Sequence, residues 1–103
     1  MLFAAAPLAA AGYDGRWRVE FDTQVGACER SFGWPLEIVN GSVVPKDGVD
    51  ASGFIAREGL ASLTIRRGQD IFRAQGRVKG QTGSGAWSSS TALCGGRWKL
   101  IRR

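Results

Sequence analysis

The feature that most constrains the fold of this chain is a hydrophobic period of two that recurs from residue 13 to the C-terminus. In residues 16–22 apolar side chains alternate with charged ones, which places Trp17, Val19 and Phe21 on one face. Successive side chains of a β-strand point to opposite faces, so the pattern is typical of a strand with one buried face. Fifteen glycines and the lack of a clear helical period leave little room for long helices. The chain is therefore expected to be all-β.

Turn residues divide the chain into about eight short segments with this period. Asn40-Gly41 predicts a two-residue hairpin, because both positions of a type I′ turn need a positive φ. Glu58-Gly59 predicts a second two-residue turn, which would pair Phe54 with Leu63 and Ala56 with Ala61 on one face. The predicted strands cover residues 16–22, 34–38, 42–44, 50–57, 60–67, 71–79, 83–87 and 96–102.

The first and last predicted strands have similar sequences, which favours a sheet closed by its terminal strands. Gly15-Arg16-Trp17-Arg18-Val19 is echoed by Gly96-Arg97-Trp98-Lys99-Leu100. Pairing of these strands would remove both open sheet edges, and the short connections favour pairing between neighbours in sequence. The predicted fold is an all-β, small up-and-down antiparallel β-barrel of about eight strands, formed by residues 13–103 as a single domain. A two-sheet β-sandwich is the alternative.

The inner face of such a barrel is expected to combine small residues with tryptophans. An eight-stranded barrel is just wide enough for side chains to fill its interior. The residues expected there are Ala56, Ala61, Ala74, Gly76 and Gly85, together with Trp17, Trp34, Trp87 and Trp98. A filled core is the first expectation, and a cavity at the barrel mouth for a small apolar ligand is the alternative.

The N-terminal segment predicts an exported protein. Residues 1–12 are expected to be a signal-peptide remnant or a flexible N-terminal arm, because residues 1–11 are uncharged and end in the small residues Ala9-Ala10-Ala11. This apolar run is too short to cross a bilayer, so no membrane span is expected.

The two cysteines fit the same compartment. Cys28 and Cys94 are expected to form a disulfide, because small exported domains usually pair an even number of cysteines. A free nucleophilic thiol is the alternative, although the chain contains no histidine to activate it. The expected location is therefore periplasmic or secreted.

Charge is distributed unevenly along the chain. Residues 1–56 carry a net charge of −3 and residues 57–103 carry +8, and eleven of the fourteen basic residues are arginine, which suits carboxylates and phosphates. The predicted anion-binding residues are Arg66, Arg73, Arg77, Lys79, Arg97 and Lys99, and Arg102 and Arg103 add to the same basic half. The alternative is a solvated surface whose charge only maintains solubility.

No pattern in the chain predicts catalysis. The absence of histidine excludes His-based triads, and two cysteines without CxxC spacing cannot complete a zinc site. We therefore expect no catalytic residue, no metal site and no cofactor. Asp47 and Asp50 around Gly48 give a weak calcium signal, and a serine–lysine arrangement of residues 88–90 with Lys79 or Lys99 stays open.

Taken together, these features favour a non-enzymatic binding module, a monomer or weak dimer, that recognises an anionic ligand or an acidic protein surface. Sequence-specific nucleic acid is not expected as a partner, because the aromatic side chains needed for base stacking fall on the inner face. A carrier of a small apolar ligand that uses the barrel mouth is the second expectation. An enzyme of unidentified class is the third.

Five short motifs resemble those of a group of small exported alphaproteobacterial proteins of unknown function. They are Tyr13-Asp14-Gly15-Arg16-Trp17, Cys28-Glu29-Arg30, Asn40-Gly41, Gly83-Ser84-Gly85-Ala86-Trp87 and Cys94-Gly95-Gly96-Arg97-Trp98. The resemblance covers nearly all of residues 13–103 and implies export and a disulfide, but no catalytic or binding residue. In size, cysteine pairing and strand number the chain is also similar, at the level of fold alone, to small secreted β-barrels that inhibit hydrolases.

Overall fold

The computed structural model describes residues 12–45, 48 and 50–103, which form eight β-strands and no helix. The strands are β1 (Gly15–Val25), β2 (Ser31–Val39), β3 (Ser42–Val44), β4 (Asp50–Ile55), β5 (Leu60–Arg67), β6 (Asp70–Lys79), β7 (Thr82–Ser89) and β8 (Cys94–Arg102). Each strand is antiparallel to the next, and β8 pairs with β1 to close the sheet. The predicted up-and-down barrel is confirmed. The signal-peptide prediction falls almost wholly on residues 1–11, which lie outside the described residues.

Closure depends on a long pairing between the terminal strands. β1 and β8 are in register from Trp17 opposite Arg102 to Val25 opposite Gly95, with an irregularity between Thr23 and Val25. The pairing between β3 and β4 is much shorter, because β3 has only three residues. The pairing that closes the barrel is therefore far more extensive than the pairing between β3 and β4.

The inward side chains form one aromatic and aliphatic core. Trp17, Trp87 and Trp98 are buried, and Trp34 is half-buried. The Trp98 ring packs directly over Gly76, where an added Cβ would lie only 2.7 Å from ring atom Cζ2. The prediction that small residues accommodate large rings is therefore correct at this position.

The indole nitrogens of the three buried tryptophans all have hydrogen-bond acceptors. The Nε1 atoms of Trp17, Trp87 and Trp98 donate hydrogen bonds to backbone carbonyl oxygens at 2.8, 3.1 and 3.1 Å. A buried indole that lacked an acceptor would lower stability, so these bonds fix both the depth and the orientation of each ring.

The two ends of the barrel differ in what fills them. The disulfide end contains the loops after β1 and β7, and five aromatic rings pack there with centroid distances of 5.2 to 5.8 Å: Phe21, Phe32, Trp34, Phe72 and Trp87. The terminal end contains residues 12–14 and the end of β8. Here the Tyr13 hydroxyl donates a hydrogen bond of 3.2 Å to the carbonyl oxygen of Val78.

The predicted register between β4 and β5 is wrong by one residue. The connection contains three residues, 57–59, because the Ala56 amide donates to the Leu60 carbonyl at 2.8 Å. Phe54 therefore lies opposite Ser62, and Ile55 lies opposite Ala61. A shift of one residue moves side chains to the other face of a sheet. Phe54 consequently points outward and is 53% exposed, whereas Ile55 is buried.

The predicted disulfide is confirmed. Cys28, in the loop after β1, is bonded to Cys94, the first residue of β8, and their Cα atoms are 6.0 Å apart. The bond therefore joins the two strands whose pairing closes the barrel. Cys94 is buried and Cys28 is half-buried, and such a bond fits an oxidising compartment.

Replacing Cys28 by serine is expected to lower the free energy of unfolding by about 2–5 kcal/mol, because the bond restricts the unfolded chain. Urea denaturation of the oxidised protein and of Cys28→Ser measures the difference. Cys94→Ser should lose the same amount, since both variants lack the same bond. Equal stability of the variants and the oxidised protein would contradict the structural role.

The tryptophan core gives a second expectation. Trp98→Ala should lower the free energy of unfolding by about 3–5 kcal/mol, because it leaves a cavity between β6 and β8. Phe54→Ala removes an aromatic ring from the outer face and serves as the matched control, with an expected loss below about 1 kcal/mol. Similar losses for the two variants would show that Trp98 is not a core residue.

Candidate anion-binding surface

The outer face of β7 is a strip of short side chains between β6 and β8, whose outward side chains are longer. Its outward side chains are all small and exposed: Thr82, Ser84, Ala86 and Ser88. The strip runs between outward side chains of β6 and β8, which are its neighbours on either side. We call this strip, together with the side chains that border it, the β7 trough.

Five of the six predicted anion-binding residues border the β7 trough. β6 contributes Arg73, Arg77 and Lys79, and β8 contributes Arg97 and Lys99, all exposed. Arg77 and Lys99 both lie opposite Ser84, one on each side. Two strand spacings separate their Cα atoms by about 10 Å, so these flexible side chains can approach the same anionic group from both sides.

These cations have no anionic partner within the described part of the chain. The described ion pairs are Arg18 with Glu20 at 3.4 Å and Arg67 with Glu29 at 3.1 Å, and neither includes a cation of the trough. The nearest acidic strand is β1, where Glu20 lies opposite Lys99 in register. On the same strand, Asp22 lies opposite Arg97. Glu20 is paired with Arg18, and neither carboxylate forms a described ion pair with β8, so β1 offsets only part of the positive charge of β8.

A surface depression of about 670 Å³ lies at the terminal end of the trough. Its lining includes three of the cations and two hydroxyl groups: Arg77, Lys79, Lys99, Thr82 and Ser84. Glu58 is its one carboxylate. Cations and hydroxyls are the donors that bind carboxylate, sulfate or phosphate oxygens. The depression combines these donors with an apolar lining that includes Val78, Leu100 and Ile101.

Arg66, the sixth predicted residue, lies apart from the trough. It is on β5, opposite Asp50 on β4 and Ile71 on β6. Strand β6 therefore separates Arg66 from the β7 trough. Of the six predicted anion-binding residues, five border the trough and Arg66 does not.

Arg102 belongs to the barrel end rather than to the basic surface. Its guanidinium carbon lies 4.4 Å from the centroid of the Trp17 ring. Its Nη1 and Nη2 atoms donate hydrogen bonds of 2.6 Å to the carbonyl oxygens of Asp14 and Gly12. The period of two could have indicated this placement, because residue 102 has the same parity as the inward Trp98 and Leu100.

A second depression, which the sequence did not indicate, adjoins the trough across β6. Its volume is about 460 Å³, and Phe54, Leu60, Gln75 and Arg77 contribute to its lining. Phe54 and Leu60 are 53% and 43% exposed. Arg77 also lines the depression at the terminal end, so its side chain borders both depressions.

The described interior contains a void of about 20 Å³, lined by side chains that include Leu36, Ile38 and Trp98. A space of this size holds about one water molecule. The carrier alternative places its ligand at the barrel mouth, where a depression of about 310 Å³ at the disulfide end has Phe32, Phe72 and Arg67 in its lining. That alternative stays a prediction.

The described residues also bear on the metal, membrane and serine–lysine features considered from the sequence. Within residues 12–45, 48 and 50–103, no three His, Cys, Asp or Glu side chains form a metal-binding group, and Asp47 lies outside these residues. The described chain has no helix that is long and apolar enough to cross a membrane. Ser88 and Ser89 lie opposite Gly95 and Cys94, four and five residues along β8 from Lys99. Lys79 lies opposite Thr82, at the other end of β7 from these serines, and the serine opposite Lys99 is Ser84.

Comparisons with protein families, curated proteins and solved structures find no match to this chain. The resemblances to exported alphaproteobacterial proteins and to hydrolase-inhibiting barrels therefore stay predictions.

The position of Arg102 predicts a structural role. Arg102→Ala should lower the free energy of unfolding by about 1–3 kcal/mol, because it removes two charge-assisted hydrogen bonds and a cation–π contact. Arg103→Ala is the matched control, since it removes an exposed arginine from the next position and should change stability little. Urea denaturation measures both, and equal effects would argue against the end-capping role.

Proposed function

We propose that this protein is an exported, non-enzymatic binding module whose β7 trough holds an anionic ligand. The observation that carries the proposal is the set of five cations, unpaired within the described residues, on both sides of a floor that presents hydroxyl groups. Like charges that are gathered in this way repel one another and attract an anion. A bound anion would relieve that repulsion and stabilise the folded state.

The trough suits carboxylate, sulfate and phosphate groups. Arg73, Arg77 and Arg97 present planar donors that bind two oxygens of one group, and Lys79 and Lys99 add compact positive charges. Because all five side chains are exposed, their attraction acts through water and is screened by salt. The expected interaction is therefore reversible and sensitive to ionic strength.

A location outside the cytoplasm is part of the same proposal. The Cys28–Cys94 bond supports it, since such bonds persist in oxidising compartments such as the periplasm and the extracellular space. The non-enzymatic assignment is supported by the make-up of the trough, in which the side chains that contact a ligand are cations and hydroxyls. Cations and hydroxyls of this kind donate hydrogen bonds to the oxygens of carboxylate, sulfate and phosphate groups.

Charge reversal across the trough tests the proposal. Arg77→Glu/Lys99→Glu should weaken binding to heparin by about tenfold or more, because two charge-assisted contacts become repulsive. Isothermal titration of heparin at low and at physiological salt measures the change. The native protein should also bind less tightly as salt rises, because the Debye length shortens.

Arg16→Glu/Arg30→Glu is the matched control, because it changes the net charge equally at positions outside the trough. It should keep most of the affinity for heparin. If both double variants lose affinity equally, binding depends on net charge alone and the trough is not the site. Binding that neither salt nor charge reversal affects would refute the proposed function.

A further inference from the structure

The apolar depression beside Arg77 adds a second kind of contact to the anion site. Single exposed apolar side chains are common on protein surfaces. Here, however, Phe54 and Leu60 share one depression of about 460 Å³, and the guanidinium-bearing Arg77 lines it as well. The surface therefore offers an apolar pocket next to a row of cations rather than scattered apolar groups.

We propose that the anionic ligand of the β7 trough is an acidic protein segment that carries one large apolar side chain. This proposal rests on the proposed function and names the class of its ligand. The apolar side chain lies in the depression of Phe54 and Leu60, and carboxylates lie against Arg77 and Lys99.

The register of the sheet sets the spacing of such a segment. Leu60, Arg77, Ser84 and Lys99 are consecutive positions in one row across β5, β6, β7 and β8. With neighbouring strands about 4.8 Å apart, Arg77 lies about 5 Å and Lys99 about 14 Å from Leu60 along the row. In an extended chain, side chains at i, i+2 and i+4 share one face at intervals of about 6.6 Å. An apolar residue followed by glutamates at +2 and +4 fits this row.

The shape of the surface favours a flexible segment. The row crosses the convex outside of a closed barrel, so a ligand that reaches from Leu60 to Lys99 has to bend around β7. An extended segment adapts to this curvature, whereas a straight helix would contact only one part of the row.

The two depressions together favour a protein over other polyanions. Protein interfaces combine an apolar anchor with arginine contacts and a polar rim. Sulfated polysaccharides repeat their charges without a large apolar side group, so they would make no apolar contact with Phe54 and Leu60. A lipid acyl chain fits this depression less well than one side chain does, because its large exposed apolar side chains are two, Phe54 and Leu60.

The test compares two synthetic peptides at low ionic strength, acetyl-Ser-Phe-Ser-Glu-Ser-Glu-Ser-amide and the same peptide with alanine in place of phenylalanine. The phenylalanine peptide should bind the native protein about tenfold more tightly, as expected when an aromatic side chain leaves water. Phe54→Ala/Leu60→Ala should abolish this preference and leave heparin binding unchanged. Val25→Ala/Leu93→Ala, which removes exposed apolar side chains elsewhere, should keep it.

The outcomes separate this inference from the proposed function. If the two peptides bind equally, or if neither binds, the inference is wrong, and heparin binding that still depends on Arg77 and Lys99 would leave the proposed function intact. Binding to phosphatidylglycerol vesicles without any preference for the phenylalanine peptide would also overturn it, in favour of a lipid surface. If Arg77→Glu/Lys99→Glu changes the binding of no probe, both proposals fail.

Discussion

The pairing of β1 with β8 is the interaction on which the rest of the structure depends. It closes the barrel and is secured at both ends. At one end, the Cys28–Cys94 disulfide joins the loop after β1 to the start of β8. At the other end, Arg102 at the end of β8 binds the carbonyl oxygens of residues that precede β1. A covalent bond and a charged cap therefore hold together two strands that are far apart in sequence.

The small residues of β7 explain how this strand packs closely inside the barrel and leaves space on the outside. Its inward positions include Gly83 and Gly85, which bring β7 close to β6, and the Trp98 ring of the neighbouring β8 packs over Gly76. Its outward positions are serine, threonine and alanine, so the strip stays low while the side chains of β6 and β8 project beside it. A strand of small residues thus allows close packing of the tryptophan inside the barrel and leaves room for an anion outside.

Most of the fold could be predicted from local pattern, and the errors have a physical cause. The Asn40-Gly41 turn was predictable because its geometry is local, and both residues have positive φ, at 52° and 79°. The β4–β5 turn was not, since Glu58-Gly59 is compatible with turns of two and of three residues. The extra residue reverses the face of every preceding side chain in β4. For this reason Phe54, which the sequence places in the core, lies on the surface. The apolar depression beside Arg77 therefore could not be predicted from the sequence.

The sequence by itself determined the period of two, the cysteine pairing and the excess of positive charge in the second half of the chain, because these properties depend on composition and on near neighbours along the chain. Only the tertiary structure decided which cations stand together. Arg77 and Lys99 face each other across Ser84, whereas Arg66 lies beyond β6 and Arg102 turns into the barrel end. Lateral neighbours in a sheet are set by hydrogen-bond register and by closure, and neither is encoded in the alternation of a single strand.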